Sequence, residues 1–245
     1  MNLVIDIGNT AAKIAVFDET KLVETIYGDN HSLAELPDIA KKYPLQKGIL
    51  ASVITLTDEV QAQLGALGIK ILHVGADTPI PIINLYKTPQ TLGMDRLAAV
   101  IAANELCPGK DLLVIDAGTC ITYDFIDATG KYRGGNISPG INMRLKALHG
   151  FTDKLPLVSP HGEIPLWGDT TETAIRAGVV HGVEVEIEGY IRQTEENHPS
   201  LCVFLTGGDG GVALNGINEK KTIFADRNLV LKGLNRILNY NDTLS

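Results

Sequence analysis

The feature that most constrains the fold is an internal echo. Val4-Ile5-Asp6-Ile7-Gly8 near the start of the chain returns as Val114-Ile115-Asp116-Ala117-Gly118, and Thr10 has a counterpart in Thr119. In each copy an apolar run delivers an aspartate to a glycine turn and a second apolar run follows, which reads as two buried strands joined by a polar turn. Taken singly, either segment fits a plain hairpin. Two of them on one chain point to a duplicated domain gripping one phosphate chain from both sides. Gly8 would supply positive φ and close backbone approach, Asn9 and Thr10 short donors, and Asp6 a hold on a hydrated cation.

The stretches between the two copies repeat the same grammar. Residues 21–27 alternate enough to add a third antiparallel strand, giving a meander before any helix. A helix is expected over residues 31–43 with Pro37 in its first turn, then a strand at 48–53, a helix at 56–67 and a strand at 69–74. Residues 75–94 hold Pro79, Pro81, Pro89 and Gly93 and read as a crossing loop. Asp95 opens a helix whose residues 97–103 are nearly all apolar. The second half repeats the order: strands at 111–116, 121–127 and 131–137, a helix at 141–148, a mobile loop at 151–168, and a long helix at 170–195. In that helix Ile175, Val179, Val183, Ile187 and Ile191 recur at every fourth position. Ala177, Gly178 and Gly182 leave a groove for another helix, from this chain or a partner. A strand at 202–205 and a closing helix at 229–240 complete an α/β chain, divided at 1–110 and 111–245.

Composition removes several classes of function. A net charge of −8 and the lack of a basic stripe argue against a nucleic-acid partner. No apolar run approaches membrane-spanning length, and the chain opens on a strand rather than a leader, so the expected location is the cytoplasm. Cys107, Cys120 and Cys202 form no Cys-x-x-Cys pair and read as small buried hydrophobes. The scattered histidines show no metal spacing. Neither Gly-x4-Gly-Lys-Ser/Thr nor Gly-x-Gly-x-x-Gly is present, so phosphate binding falls to the hairpin turns.

Two further constellations carry chemistry. Asp95 is either a helix N-cap or a carboxylate aimed at a substrate hydroxyl, beside an Arg96 guanidinium able to fork onto a carboxylate. Thr206-Gly207-Gly208-Asp209, after a buried strand, is either a plain glycine turn or a platform where a planar ring lies against bare backbone.

Taken in order, Asp6-x-Gly8-Asn9-Thr10-x-x-Lys13, Tyr86-x-x-Pro89-x-x-Leu92-Gly93-x-Asp95-Arg96, Asp116-x-Gly118-Thr119-x-x-Thr122-x-Asp124, Gly134-Gly-x-Ile137-x-Pro139-Gly140 and Thr206-Gly-Gly-Asp209 resemble type III pantothenate kinase across the whole chain. The resemblance implies the acetate and sugar kinase, Hsp70 and actin superfamily: duplicated ribonuclease-H-like βββαβαβα domains with an ATP cleft between them. It further implies ATP and pantothenate as substrates, the phosphates held by Asp6, Ile7, Gly8, Asn9, Thr10, Ala11, Ala12, Lys13 and Thr119, and adenosine by Gly207 and Gly208. Asp95 would be the general base. Tyr86, Gly93, Met94, Arg96 and Thr171 would hold pantothenate, Thr171 from the partner side of a homodimer. Asp6 would stand near the ATP-bound Mg²⁺, and Asp116 would ligate a monovalent cation, K⁺ or NH4⁺. Thr170-Thr171 replaces the family's usual Asn-Thr, and Cys120 and Gly210 each replace an alanine. Another kinase of the superfamily, acting on a sugar or acetate, and a nucleotide-binding regulator without transfer activity are the competing readings.

Overall fold

Residues 1–208 and 223–244 are described by the computed structural model. In chain order the elements are β1 (Asn2–Ile7), β2 (Ala12–Asp18), β3 (Lys21–Gly28), α1 (Leu36–Lys42), β4 (Lys47–Ser52), α2 (Asp58–Ala66), β5 (Lys70–His73), β6 (Ile83–Asn84), α3 (Met94–Leu106), β7 (Leu112–Ala117), β8 (Cys120–Ile126), β9 (Lys131–Pro139), α4 (Ile141–Gly150), α5 (Thr171–Asn197), β10 (Cys202–Thr206), β11 (Ile223–Ala225) and α6 (Leu229–Asp242). They fall into two units. The first comprises Met1–Pro108, Gly130–Arg133 and Asn228–Ser245, the second Gly109–Thr129 and Gly134–Arg227.

In the first unit β1 to β3 form an antiparallel meander, and β4 and β5 add in parallel beyond β1, giving the order β3-β2-β1-β4-β5. The two-residue period of a strand sends Leu3, Ile5 and Ile7 to one face, where they meet Leu36 and Ile39 of α1 and Val60 and Leu64 of α2. Thr57 caps α2 by accepting a hydrogen bond from the Val60 backbone N–H at 3.2 Å. β1 and β4 also pack on α6, which lies against α3. That contact depends on a missing side chain: a Cβ at Gly233 would sit 1.8 Å from the carbonyl oxygen of Ala98.

The second unit repeats the topology, with β9-β8-β7-β10-β11 in place of β3-β2-β1-β4-β5. The burial pattern of β7 matches that of β1 position for position, four buried residues, a half-buried aspartate and a buried residue before the glycine. Leu113, Ile115, Ile121 and Tyr123 pack against Ile141 and Leu145 of α4 and against Ile175, Val179, Val183, Ile187 and Ile191 of α5. All five of these α5 side chains are buried, so the four-residue rhythm of the sequence is the stripe that binds the helix to its sheet.

Several expectations change. The first helix starts at Leu36 rather than residue 31, because Leu33 has φ +47° and cannot continue a right-handed helix. It is held there by complete burial in the core and by its N–H bond to Asp29 O at 3.1 Å. The crossing loop contains β6, whose Ile83 and Asn84 pair with Lys131 and Tyr132, and a 3-10 turn at Pro89–Thr91. The closing helix groups with the first unit, whereas the division at 1–110 and 111–245 puts it in the second. Its apolar face needs a sheet, and chain order does not say which. The three cysteines are half-buried rather than buried.

Gly233→Ala should lower stability by about 1–3 kcal/mol through overpacking against the Ala98 carbonyl. A urea midpoint unchanged from wild type would show that α3 and α6 do not need this approach.

Candidate active site

Both hairpin turns sit where a buried central strand reaches its carboxyl end. In the first, Ile7 pairs with Ala12 across a turn closed by Gly8 N–H to Ala11 O at 3.0 Å. Asn9, Thr10 and Ala11 are exposed there, as a surface for a ligand requires. Asp6 pairs across the hairpin with Lys13, so a carboxylate and an ammonium share one face of the sheet beside the turn. Gly8 is not in the left-handed region expected of it, and what the turn uses is its bare backbone: a Cβ would lie 3.2 Å from Ala11 O.

The turn is braced by a residue that the motif does not contain. Asn30 is buried, 6% exposed, and its Nδ2 donates to the carbonyl of Gly8 at 2.9 Å. Asn30 stands three residues before the left-handed Leu33, so a strained corner and a buried amide fix the turn together. Reading residues 31–43 as one helix hides this corner.

Asp95 and Arg96 open α3. Gly93, not Asp95, is the N-cap, and Asp95 lies in the first turn with Oδ1 accepting the Arg96 backbone N–H at 2.8 Å. The cap reading of Asp95 is therefore replaced by a first-turn carboxylate folded back over Gly93, where a Cβ would come within 2.3 Å of Oδ1. Arg96 is 7% exposed. It donates from Nη2 to Tyr132 Oη at 3.2 Å and lies 5.9 Å from the centre of the Tyr86 ring, within cation–π range. Tyr86 and Tyr132 have ring centroids 6.1 Å apart. Tyr86 is set by its N–H bond to Asn84 Oδ1 at 2.9 Å, while Leu85 N–H bonds Tyr132 O at 3.1 Å. Tyr132 has no local signal in the sequence. Asn84, two residues before Tyr86, has one, because asparagine side chains bond the backbone two residues on.

In the second unit the turn is shorter. Ala117 pairs with Ile121, and Gly118 N–H bonds Cys120 O at 3.0 Å. Thr119 is exposed at its tip. Thr206 pairs with Asp116, so the Gly207-Gly208 turn runs beside Asp116-Ala117-Gly118. Here positive φ is required: Gly207 has φ +95°, and a Cβ would meet Ala117 O at 2.2 Å and Asp116 Oδ1 at 2.5 Å. Asp209 and Gly210 lie outside the described residues. Thr170 is the N-cap of α5, exchanging hydrogen bonds with Thr173, while Thr171 is the first helical residue and is exposed.

Beneath the second turn lies a polar cluster with no local signature in the sequence. Glu186 Oε1 accepts from Tyr123 Oη at 2.8 Å and from Ser138 Oγ, and Oε2 accepts from Arg144 Nη2 at 2.6 Å. Burial alone would raise the Glu186 pKa, but the bonds from Ser138, Arg144 and Tyr123 outweigh it and hold the carboxyl below its usual value. Burial, reinforced by the Glu186 carboxylate, pushes the Tyr123 phenol up, so it stays a donor.

Among the described residues no group of three or more His, Cys, Asp or Glu side chains could cage a metal ion. No helix among them is long and apolar enough to cross a membrane.

The duplicated sheet with an aspartate-glycine turn at the end of each leading strand defines a chain of the actin-like ATPase and sugar kinase fold. The activator of 2-hydroxyisocaproyl-CoA dehydratase from Clostridium difficile, solved with bound ADPNP, shares that fold with a TM-score of 0.52 at 13% identity, over 99% of this chain and 95% of the other. A Baf family protein of Campylobacter jejuni, described as a transcriptional activator, reaches 0.63 at 22% identity over 98% and 99%. Residues 2–193 match the family model for type III pantothenate kinase. A type III pantothenate kinase of Phocaeicola vulgatus is 62% identical over the full length of both chains. The chain belongs to the type III pantothenate kinase family.

Asn30→Ala should remove the brace on Gly8 and lower stability by about 1–2 kcal/mol. It should also speed amide exchange at residues 8–12 relative to the rest of β1 and β2. Unchanged local exchange would mean the turn holds itself.

Proposed function

We propose that the chain transfers the ATP γ-phosphoryl group to the 4′-hydroxyl of pantothenate, the first step of coenzyme A synthesis. The observation that carries this reading is the cluster at the start of α3: a carboxylate at Asp95 next to a guanidinium packed with two tyrosines. A hydroxyl acceptor that also bears a carboxylate needs both groups. Arg96, with Tyr86, Gly93 and Met94, would bind the pantothenate carboxylate and backbone, and the Asp95 carboxylate would take the hydroxyl proton. Oδ1 is already engaged by the Arg96 N–H.

Phosphoryl transfer depends on positioning and charge neutralisation more than on strong base catalysis. The turn at residues 8–11 presents backbone and hydroxyl donors to phosphate, with Lys13 supplying positive charge across from Asp6. Thr119 would contribute from the second turn, and the Gly207-Gly208 backbone would receive the adenosine. With no all-protein cage among the described residues, a divalent ion suits the mode in which one carboxylate and the nucleotide phosphates share it, and Asp6 fits as that carboxylate. Mg²⁺ supplies charge neutralisation on the phosphates when bound. Asp116, under the Gly207 backbone and the Ala117 carbonyl, offers the oxygen-rich surroundings a potassium or ammonium ion prefers.

A homodimer is supported by α5, where a Cβ added at Gly178 or Gly182 would meet nothing within 4 Å and Val185 is 67% exposed. Thr171 would then serve a partner's substrate, since Thr170 is occupied as the cap. A cytoplasmic location fits three cysteines that stay as thiols.

A coupled assay following ADP release, with pantothenate against a panel of sugars and acetate, tests the reaction. Turnover on a sugar and none on pantothenate would replace this reading with that of a sugar kinase. Asp95→Asn should keep ATP binding while lowering kcat by roughly two to four orders of magnitude, and a near wild-type rate would remove Asp95 from the proton transfer. Exchanging potassium for sodium or choline should depress activity, and Asp116→Asn should abolish the difference between the cations. Activity indifferent to the cation would leave Asp116 without that role.

A further inference from the structure

We propose that Glu186 is a positioning residue for the second phosphate turn, acting through Ser138, Arg144 and Gly140. The proposal rests on the reading that Thr119, at the tip of the second turn, helps hold ATP. Glu186 projects from the middle of α5 and touches none of the residues assigned to substrate. It instead joins β8, the end of β9 and the first turns of α4.

The connection can be followed bond by bond. Glu186 Oε2 fixes Arg144, whose Nε donates to the Pro139 carbonyl at 2.7 Å and whose Nη2 reaches Ser138 Oγ at 3.3 Å. Glu186 Oε1 fixes Ser138 from the other side. The Ser138-Pro139 step is thereby held on its hydroxyl and its carbonyl, and Gly140 follows it directly. Gly140 N–H donates to Thr119 O at 3.1 Å. The approach is so close that a Cβ at Gly140 would stand 2.1 Å from Gly118 O and 2.6 Å from Thr119 O. Gly140 is thus a backplate for the turn, and its position is set by the Glu186–Arg144 pair.

A second strand of the same network reaches the turn through β8. Tyr123, which donates to Glu186 at 2.8 Å, stacks on Tyr190 of α5 with ring centroids 4.0 Å apart. It lies in the hairpin strand that begins at Cys120, and it pairs with Ile115 of β7, the residue before Asp116. The carboxylate therefore ties β8 and the end of β9 to one helix.

Stability does not call for such a cluster, because well-packed apolar side chains commonly do as well or better than a partly buried ion pair. What the cluster provides and an apolar contact would not is direction. Three donors converge on one carboxylate, each at a set angle, so the backbone of residues 138–140 has one position relative to α5. A turn that must present Thr119 to a phosphate before the ligand arrives gains from that fixed backplate.

The test uses the full chain. Glu186→Ala should raise KM for ATP roughly tenfold, the factor expected for one lost charge-assisted hydrogen bond. KM for pantothenate should stay within about twofold, because Tyr86, Gly93, Asp95 and Arg96 are set by other elements. Glu186→Gln, which keeps an acceptor for Tyr123 and Ser138, should recover part of the ATP affinity. Thr119→Ala is run alongside as the reference for the turn. A merely structural role would lower the active fraction and hence kcat with both KM values unmoved, and this result overturns the proposal. So does a normal KM for ATP in Glu186→Ala when Thr119→Ala raises it. If Thr119→Ala itself leaves KM for ATP unchanged, the assignment of the turn to ATP has failed and the proposal falls with it. Should Glu186→Ala not fold, Arg144→Lys, which keeps the charge but cannot reach Glu186 and Pro139 at once, must show the same ATP-selective rise.

Discussion

Everything in this chain depends on how a strand buried on both faces comes to its end. β1 and β7 each carry four buried residues, then a half-buried aspartate, a buried residue and a glycine. A strand of this kind needs helices over its faces and a paired strand along each edge, and each unit gives its leading strand paired neighbours on both sides in the same order. It can turn polar only where the covering layers stop, at its carboxyl end. The aspartates stand there, and the turns that follow bring Asn9, Thr10 and Thr119 to the surface. The catalytic apparatus of a phosphotransferase is mostly a set of aimed dipoles and charges, so an architecture that makes two such ends has most of what it needs before any specialised side chain is added.

The two turns are braced by different means, although the strands leading to them match. On the first, the brace is a side chain: Asn30, buried after β3, donates to the Gly8 carbonyl. On the second, it is a backbone group: Gly140 donates to the Thr119 carbonyl from a position where no Cβ fits. The difference follows from what comes after the third strand in each unit. After β3 the chain makes a corner in which Leu33 accepts a left-handed conformation to bury its side chain. After β9 it enters α4 directly, with Gly140 as the N-cap. The duplicated topology thus preserves the need for a brace without preserving the residue that meets it.

That distinction explains what could be read in the sequence. Burial pattern and turn chemistry are local, so the echo of Asp6-Ile-Gly8 at Asp116-Ala-Gly118, the four-residue stripe of α5 and the breaker-rich segments were all legible. The meander that opens each half was legible too, whereas the order of the strands that add beyond it was not. Braces are not local. Asn30 looks like one more polar residue near a turn until Gly8 is seen to lie within 2.9 Å of it, and Tyr132 is an ordinary strand residue until Arg96 is found against it. Asp95 shows the opposite error. Aspartate before an apolar run is a good cap by local rules, but Gly93 takes that place and leaves the carboxylate inside the first turn. The closing helix likewise carries a clear apolar face and no mark of the sheet it will cover.

Departures from the family pattern can be weighed by the same physics. Where the family resemblance implies Asn-Thr, this chain has Thr170-Thr171, and Thr170 is the side chain that caps α5, accepting the Thr173 N–H at 3.1 Å. Asparagine and threonine both serve as N-caps, since each offers an oxygen at the reach the first free amides require. The replacement therefore conserves the start of the helix, and with it the exposed position of Thr171 one residue on. Cys120 in place of alanine is half-buried at the foot of β8, where its carbonyl, not its side chain, closes the turn onto Gly118. In both cases the backbone role is kept and only the side chain beside it has changed, which is the kind of drift a site built from strand ends and aimed amides can absorb.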